Sequence, residues 1–166
     1  MLNNKLQDGL FIAFHKGKNP LGLLIAGWTA GPYSHCELIV DGVSFSSGGT
    51  DGGVREKDVV YDNKNWDIWE IPEIDKNKVL AFYDLTEKHK YDYKGIIFSQ
   101  LFWWINAHSK NKWFCSEWCL QALDYATKYE LPWKKGLLRK KGYNKFSPNR
   151  LKDYLQDIKL LGKKVL

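Results

Sequence analysis

The stretch "YSHCELIVDGVSFSS", residues 33 to 47, constrains the fold more than any other part of this chain. An Asp-Gly pair at 41 and 42 lies between two β-prone runs, the strongest short-range signal for an antiparallel hairpin. Once the first run is a strand, alternation puts His35, Glu37 and Ile39 on one face and Cys36, Leu38 and Val40 on the other. Glu37 then stands on the His35 side, about 6–7 Å further along the strand. It is either a group that orients the imidazole or a solvated strand residue.

Strand patterns fill the rest of the first half. "GLFIAFH" (9–15) is a short apolar run suited to a buried strand, and "VREKDVV" and "WDIWEIP" read as further strands around a flexible "GGTDGG" loop. "NPLGLLIAGWTAG" has the spacing of one or two helical turns. From Asp75 the period changes. "DKNKVLAFYDLTEKH" is helical with Asp75 at the cap, "YDYKG" is a loop, and "IIFSQLFWWINA" is compatible with a helix. "CSEWCLQALDYATKY" is the clearest helix, and "SPNRLKDYLQDI" opens with a serine cap and a first-turn proline. Strands first and helices second predict an α+β fold.

At 166 residues the chain suits one domain, 1–166, with its basic C-terminal segment included. Eight tryptophans suggest a rigid aromatic core or a binding groove. The longest apolar run, 95–107, is short of the ~20 residues a spanning helix needs. The start "MLNNKLQDG" lacks the pattern of a secretory signal. A cytoplasmic protein with no transmembrane segment is the expectation. Residues 134–166 carry eleven Lys and Arg against two Asp, a local charge of +9 that leaves −3 for the remainder. Such a segment is a solvated surface or a contact for a polyanion. It comes with no nucleic-acid-recognition motif.

The chemistry rests on the cysteines. Three of them and no signal peptide argue for free thiols over a disulfide framework. The apolar stripe Trp118, Cys119, Ala122, Tyr125, Ala126 and Tyr129, at steps of three and four, projects back onto Cys115 in the first turn. There, unpaired N–H groups and the helix dipole favour a thiolate, and the same N–H groups suit an oxyanion. A buried cysteine on an apolar face is also simply a small hydrophobe. Metal binding fits poorly, because a structural zinc site wants four ligands and Cys115 and Cys119 supply two. As a base, His35 at a sheet edge is the best placed of the four histidines. His15 lies at a strand end next to Lys16 and reads as exposed, and His89 and His108 flank helices and read as surface residues.

Several of these segments together resemble the circularly permuted NlpC/P60 proteins, papain-like amidases of the YaeF/YiiX type. "PLGLLIAGWTAGPYSHCELIV" resembles their histidine segment. "KYDYKG" followed by "FCSEWCLQAL" resembles their Tyr–Gly loop and Cys-Ser helix, and "SPNRLKDYL" their closing helix. "FSSGGTDGGVREK" looks like the corresponding stretch of small bacteriophage members. His35 precedes Cys115, as in the permuted order, and the resemblance spans roughly residues 9 to 155.

The resemblance implies an antiparallel sheet packed against the helix that carries the cysteine, with Cys115 as nucleophile and His35 as general base. Tyr91 matches the tyrosine near the oxyanion site, with Tyr93 as an alternate and Ser116 beside the nucleophile. The chain departs from the pattern at the third residue, a glutamate that the YiiX type carries on the following strand. Ser46 holds that place here, or Glu37 substitutes for it. The implied activity is hydrolysis of an amide, in a peptidoglycan stem peptide or another peptide or protein, through a thioester and without metal or cofactor. Lipid acyl hydrolysis or transfer, with the 95–107 segment as an apolar wall, is the second enzymatic reading. A non-catalytic, phage-encoded binding or host-inhibiting module is the third.

Overall fold

The computed structural model describes residues 3–17, 31–91, 112–131, 142–143 and 146–166, with Asn3, Asn4, Tyr91 and Lys112 described by backbone alone. The expected turns at 18–30 and the apolar segment 95–107 lie outside these residues. So do Tyr93, His108 and the basic run 134–141.

A seven-stranded sheet carries the fold. Its strands are β1 (Leu10–Lys16), β2 (Tyr33–Val40), β3 (Val43–Gly48), β4 (Gly53–Lys57), β5 (Trp66–Glu70), β6 (Lys90–Tyr91) and β7 (Lys112–Trp113), in the order β5-β1-β2-β3-β4-β6-β7. The five longer strands pair antiparallel. The two-residue strands depart from the expected all-antiparallel sheet, because β6 and β7 run parallel. Three α-helices complete the described structure: α1 (Lys76–Thr86), α2 (Cys115–Ala126) and α3 (Pro148–Asp157). The architecture is α+β. Among the described residues, no helix is long and apolar enough to cross a membrane.

The Asp-Gly turn forms as its chemistry demands. Asp41 (φ 49°) and Gly42 (φ 85°) are both left-handed, the requirement of a tight hairpin whose twist matches its strands. Leu10, Ile12, Phe14, Cys36, Leu38, Val40 and Phe45 turn one face of the sheet towards α2 and its neighbouring helices. Phe11, Ala13, Ile39 and Ile68 turn the other face towards Leu6, Tyr61 and Trp66. The outer edge of β5 is covered by residues 162–166, through Glu70 N–H to Lys163 O at 3.0 Å and Val165 N–H to Ile68 O at 2.9 Å. A covered edge presents no template for a second chain to pair with.

Helices α1 and α3 begin where a capping side chain stands. Asp75 accepts from the Asn77 N–H at 3.0 Å, and Ser147 accepts from the Arg150 N–H at 3.3 Å ahead of Pro148. The α2 helix is buried more completely than its stripe suggests. Ser116, Glu117, Leu120, Leu123 and Asp124 are buried along with Trp118, Cys119, Ala122 and Ala126. Tyr129 departs from the expected stripe and is 62% exposed. It lies beyond the helix end, where Lys128 and Tyr129 adopt left-handed φ values of 56° and 64° that carry the chain away from the core.

The start of β2 is clamped by α3. The Asn149 side chain accepts from the Tyr33 N–H at 3.0 Å and donates to the Tyr33 carbonyl at 2.9 Å. Gly31 makes room for it, since a Cβ there would sit 2.3 Å from Asn149 Oδ1. Replacing Asn149 by alanine strands a buried N–H and C=O, for an expected loss of about 1–3 kcal/mol in urea unfolding. Asn149→Asp, which keeps only the acceptor, should fall between the two.

Candidate active site

The site is built where two strands part. β2 pairs with β3 only over Leu38–Val40, so the backbone of Cys36 has no β3 partner. Its carbonyl accepts instead from the Ser46 hydroxyl at 2.8 Å and from the Cys119 thiol at 3.7 Å. Its N–H is directed to the Cys115 sulfur. The first turn of α2 fills this gap in the ladder.

Cys115 is the first residue of α2, after Phe114 at the cap. It is held from both sides along the chain. The Ser47 hydroxyl donates to the Trp113 carbonyl at 2.8 Å, and the buried Ser116 hydroxyl donates to the Phe146 carbonyl at 2.5 Å. The Trp113 indole N–H also donates to His89 Nδ1 at 2.8 Å. His89 thus belongs to the seat of β7, whereas the sequence places it at the surface.

The Cys115 sulfur lies close enough to the His35 ring and the Cys36 thiol for both to act on its acidity. His35 Nε2 lies 3.1 Å from Glu37 Oε1. Glu37 is buried, with Ser44 Oγ at 2.5 Å and Tyr61 Oη at 3.1 Å on Oε2, and with an Arg55 guanidinium N–H on Oε1. Arg55 is tied in turn to Asp51, Nε to Oδ2 at 3.0 Å.

These contacts set the charges. For Cys115, the Cys36 thiol donor and the His35 charge outweigh burial and hold the thiol well below its ordinary range. Burial favours a neutral His35 ring, but the Cys115 sulfur, and after it the Glu37 carboxylate, raise it to about 10. Burial works against the Glu37 charge too, and is overcome by His35, Arg55 and Ser44, which hold it well below the carboxylate range. Cys36 moves the other way: burial, then its neighbouring thiols, push it up. These directions favour a thiolate–imidazolium pair backed by an ionised carboxylate.

Of the residues singled out in the sequence, Cys115, His35 and Glu37 meet in one chain of contacts. Ser46 lies apart from the imidazole, its hydroxyl given to the Cys36 carbonyl, and Ser116 is spent on Phe146. Tyr91 pairs through its backbone with Trp113, two residues before the cysteine. His15 stands across from His35 in register and is half-buried, its ring 4.7 Å from that of Trp66. Among the described residues, no group of three or more His, Cys, Asp and Glu is arranged to hold a metal ion.

No protein-family model matches the chain, and no curated protein sequence does. The chemistry of the site therefore rests on its own geometry.

Sequence reasoning missed Ser44, Arg55 and Tyr61, the three donors that surround Glu37 with His35. The hairpin that pairs Ser46 with Arg55 was legible as two strands, but the contact from Arg55 to Glu37 crosses β3 and needs the register of three strands at once. Tyr61 comes from the segment after β4, and no local pattern marks it.

The depressed Glu37 pKa has a consequence for stability. The unfolded chain binds this proton near pH 4.5 and the folded chain binds it only at lower pH, so the group stabilises the fold above that value. The contribution is lost progressively as pH falls below about 4.5. Melting temperatures from pH 3 to 7 should fall steeply at the acid end, and Glu37→Gln should flatten that fall while lowering stability at pH 7.

Proposed function

We propose that this protein is a cysteine-dependent hydrolase of amide bonds, with the permuted NlpC/P60, papain-like arrangement that its sequence resembles. One observation carries the reading: the contact chain Cys115–His35–Glu37, with the sulfur in the first turn of a buried helix. A nucleophilic thiol needs a neighbouring base, and the base needs a third group to fix its orientation. All three roles have a candidate here.

In this mechanism the Cys115 thiolate attacks the carbonyl carbon of the scissile amide, forming a C–S bond and a tetrahedral oxyanion. The N-terminal end of α2 favours that charge, and the Tyr91 side chain is the proposed further donor. The His35 imidazolium gives its proton to the amide nitrogen as the C–N bond breaks, leaving a thioester and a free amine. Neutral His35 then takes a proton from water, whose oxygen attacks the thioester. The carboxylic acid leaves, and the proton returns the site to its starting state. Glu37 keeps the ring in place through both halves and stabilises the imidazolium.

The decisive measurement is alkylation of Cys115 by iodoacetamide against pH, read by mass spectrometry. The expected midpoint lies well below the ~8.5 of a free thiol, and His35→Ala should move it upward and slow labelling at pH 6 by at least about tenfold. Cys36 and Cys119 are buried and serve as controls for unfolding. A Cys115 midpoint at or above that of a free thiol in the folded protein overturns the reading. If the midpoint is low, peptide amides and purified sacculi are the substrates to test first. Turnover of phospholipid vesicles with no peptide cleavage would replace the amide with an acyl ester.

A further inference from the structure

Glu37 is ringed by donors to a degree that orienting an imidazole does not require. A single carboxylate oxygen facing His35 Nε2 would fix the ring. Here Oε2 takes two hydroxyls, from Ser44 and Tyr61, and Oε1 is shared between His35 and the guanidinium of Arg55. Arg55 also reaches Ser44 through Nη1, at 3.3 Å to Oγ and 3.4 Å to the carbonyl. Its outer edge is held by Asp51, which also takes Lys57 at 3.3 Å. Only 13% of the Arg55 side chain is exposed, so its charge acts on Glu37 with little screening by water.

We propose that Arg55 is a positioning residue of the Cys115–His35 pair, fixing the Glu37 carboxylate and offsetting its charge so that the site holds its thiolate at neutral pH. The inference rests on the hydrolase reading above and adds a residue to it. Four charges alternate in sign along the contacts: Cys115 thiolate, His35 imidazolium, Glu37 carboxylate, Arg55 guanidinium. Without the last, the site gains one net negative charge. A thiolate is then harder to form, and the imidazolium proton is held too tightly for delivery to a leaving amine.

Among the described residues, the groups that face this chain from neighbouring elements are few. The Cys36 thiol faces Cys115, His15 on β1 stands opposite His35, Tyr61 and Ser44 are hydroxyl donors, and Asp51 with Lys57 lies beyond Arg55. Of the described residues, only Arg55 places a permanent positive charge on Glu37. If instead Arg55 only ties the β3–β4 hairpin to β2, its loss lowers stability and leaves the titration of the site alone.

The experiment is the pH profile of Cys115 alkylation in the whole chain, with thermal unfolding of each variant beside it. Arg55→Met and Arg55→Gln should raise the midpoint by about one pH unit, and Arg55→Lys should restore most of it. Asp51→Asn probes the same charge from the exposed turn without touching Glu37 and with its acceptor oxygen kept. It leaves Arg55 less offset and should lower the midpoint by a few tenths of a unit. Should the arginine variants fail to fold, the sign of the Asp51→Asn shift decides, and a midpoint unchanged or raised there overturns the proposal. Unchanged midpoints in folded Arg55→Met and Arg55→Gln overturn it as well. A low wild-type midpoint with unmoved variants sinks this inference alone, whereas a wild-type midpoint at the free-thiol value sinks the hydrolase reading and this one together.

Discussion

The peptide unit of Cys36 is the point on which the described structure turns. A strand interior normally gives its N–H and C=O to the two flanking strands, and a buried peptide group without partners is costly. Here β3 leaves β2 at Leu38, and the Cys36 groups on that side are satisfied by a serine hydroxyl and two sulfur atoms. That exchange brings the N-terminus of α2 into the sheet. Had the ladder continued to Tyr33, the β3 backbone would occupy the space where Cys115 now meets His35. The clamp of Asn149 on Tyr33 matters for the same reason, since it holds the end of β2 that β3 does not reach.

Placing four charges in such a setting is costly unless each is matched. Removing an ion from water carries a penalty of several kcal/mol even after relaxation, and a buried pair recovers it only with good geometry and filled hydrogen-bonding positions. The contacts around Glu37 meet that condition, with both oxygens engaged twice. The chain of charges ends at the surface, reaching Asp51 and Lys57 from a Cys115 that is 4% exposed. His35 and Glu37 each have two neighbours of opposite charge, whereas Cys115 has one, with the neutral Cys36 thiol beside it. Ser46, the other candidate for the third position, gives its hydroxyl to the Cys36 carbonyl.

Much of this was legible in the sequence, for local reasons. The Asp-Gly turn, the alternation along 35–40 and the capped start of α3 depend only on neighbours in the chain, and they assign His35 and Glu37 to one face. What was not legible depends on distant segments. Arg55 reaches Glu37 because β3 and β4 pair in one register and not the next, and a shift of one residue would turn it to the other face. Asn149 is an ordinary first-turn residue until α3 meets the start of β2. The helical stripe failed at Tyr129 because backbone conformation ended the helix before the spacing did, and it understated the burial of α2 because three sides of that helix are covered.

The three cysteines show why residue type alone does not assign roles. Chemically they are the same, and helical spacing groups Cys115 with Cys119. Their surroundings separate them. Cys36 faces thiols and apolar side chains, stays protonated, and so can donate its S–H to a neighbour. Cys115 receives that donor, a backbone N–H and a cationic ring, all of which favour its charged form. One thiol is held neutral so that the other can be held as an anion, and groups whose environments push their acidities apart are those that divide acid from base work. That division supports Cys115 as the nucleophile more firmly than its place on a helix does. A helix N-terminus lowers the energy of any thiolate set there, whereas this pairing of donor and acceptor requires β2, α2 and the gap between β2 and β3 together.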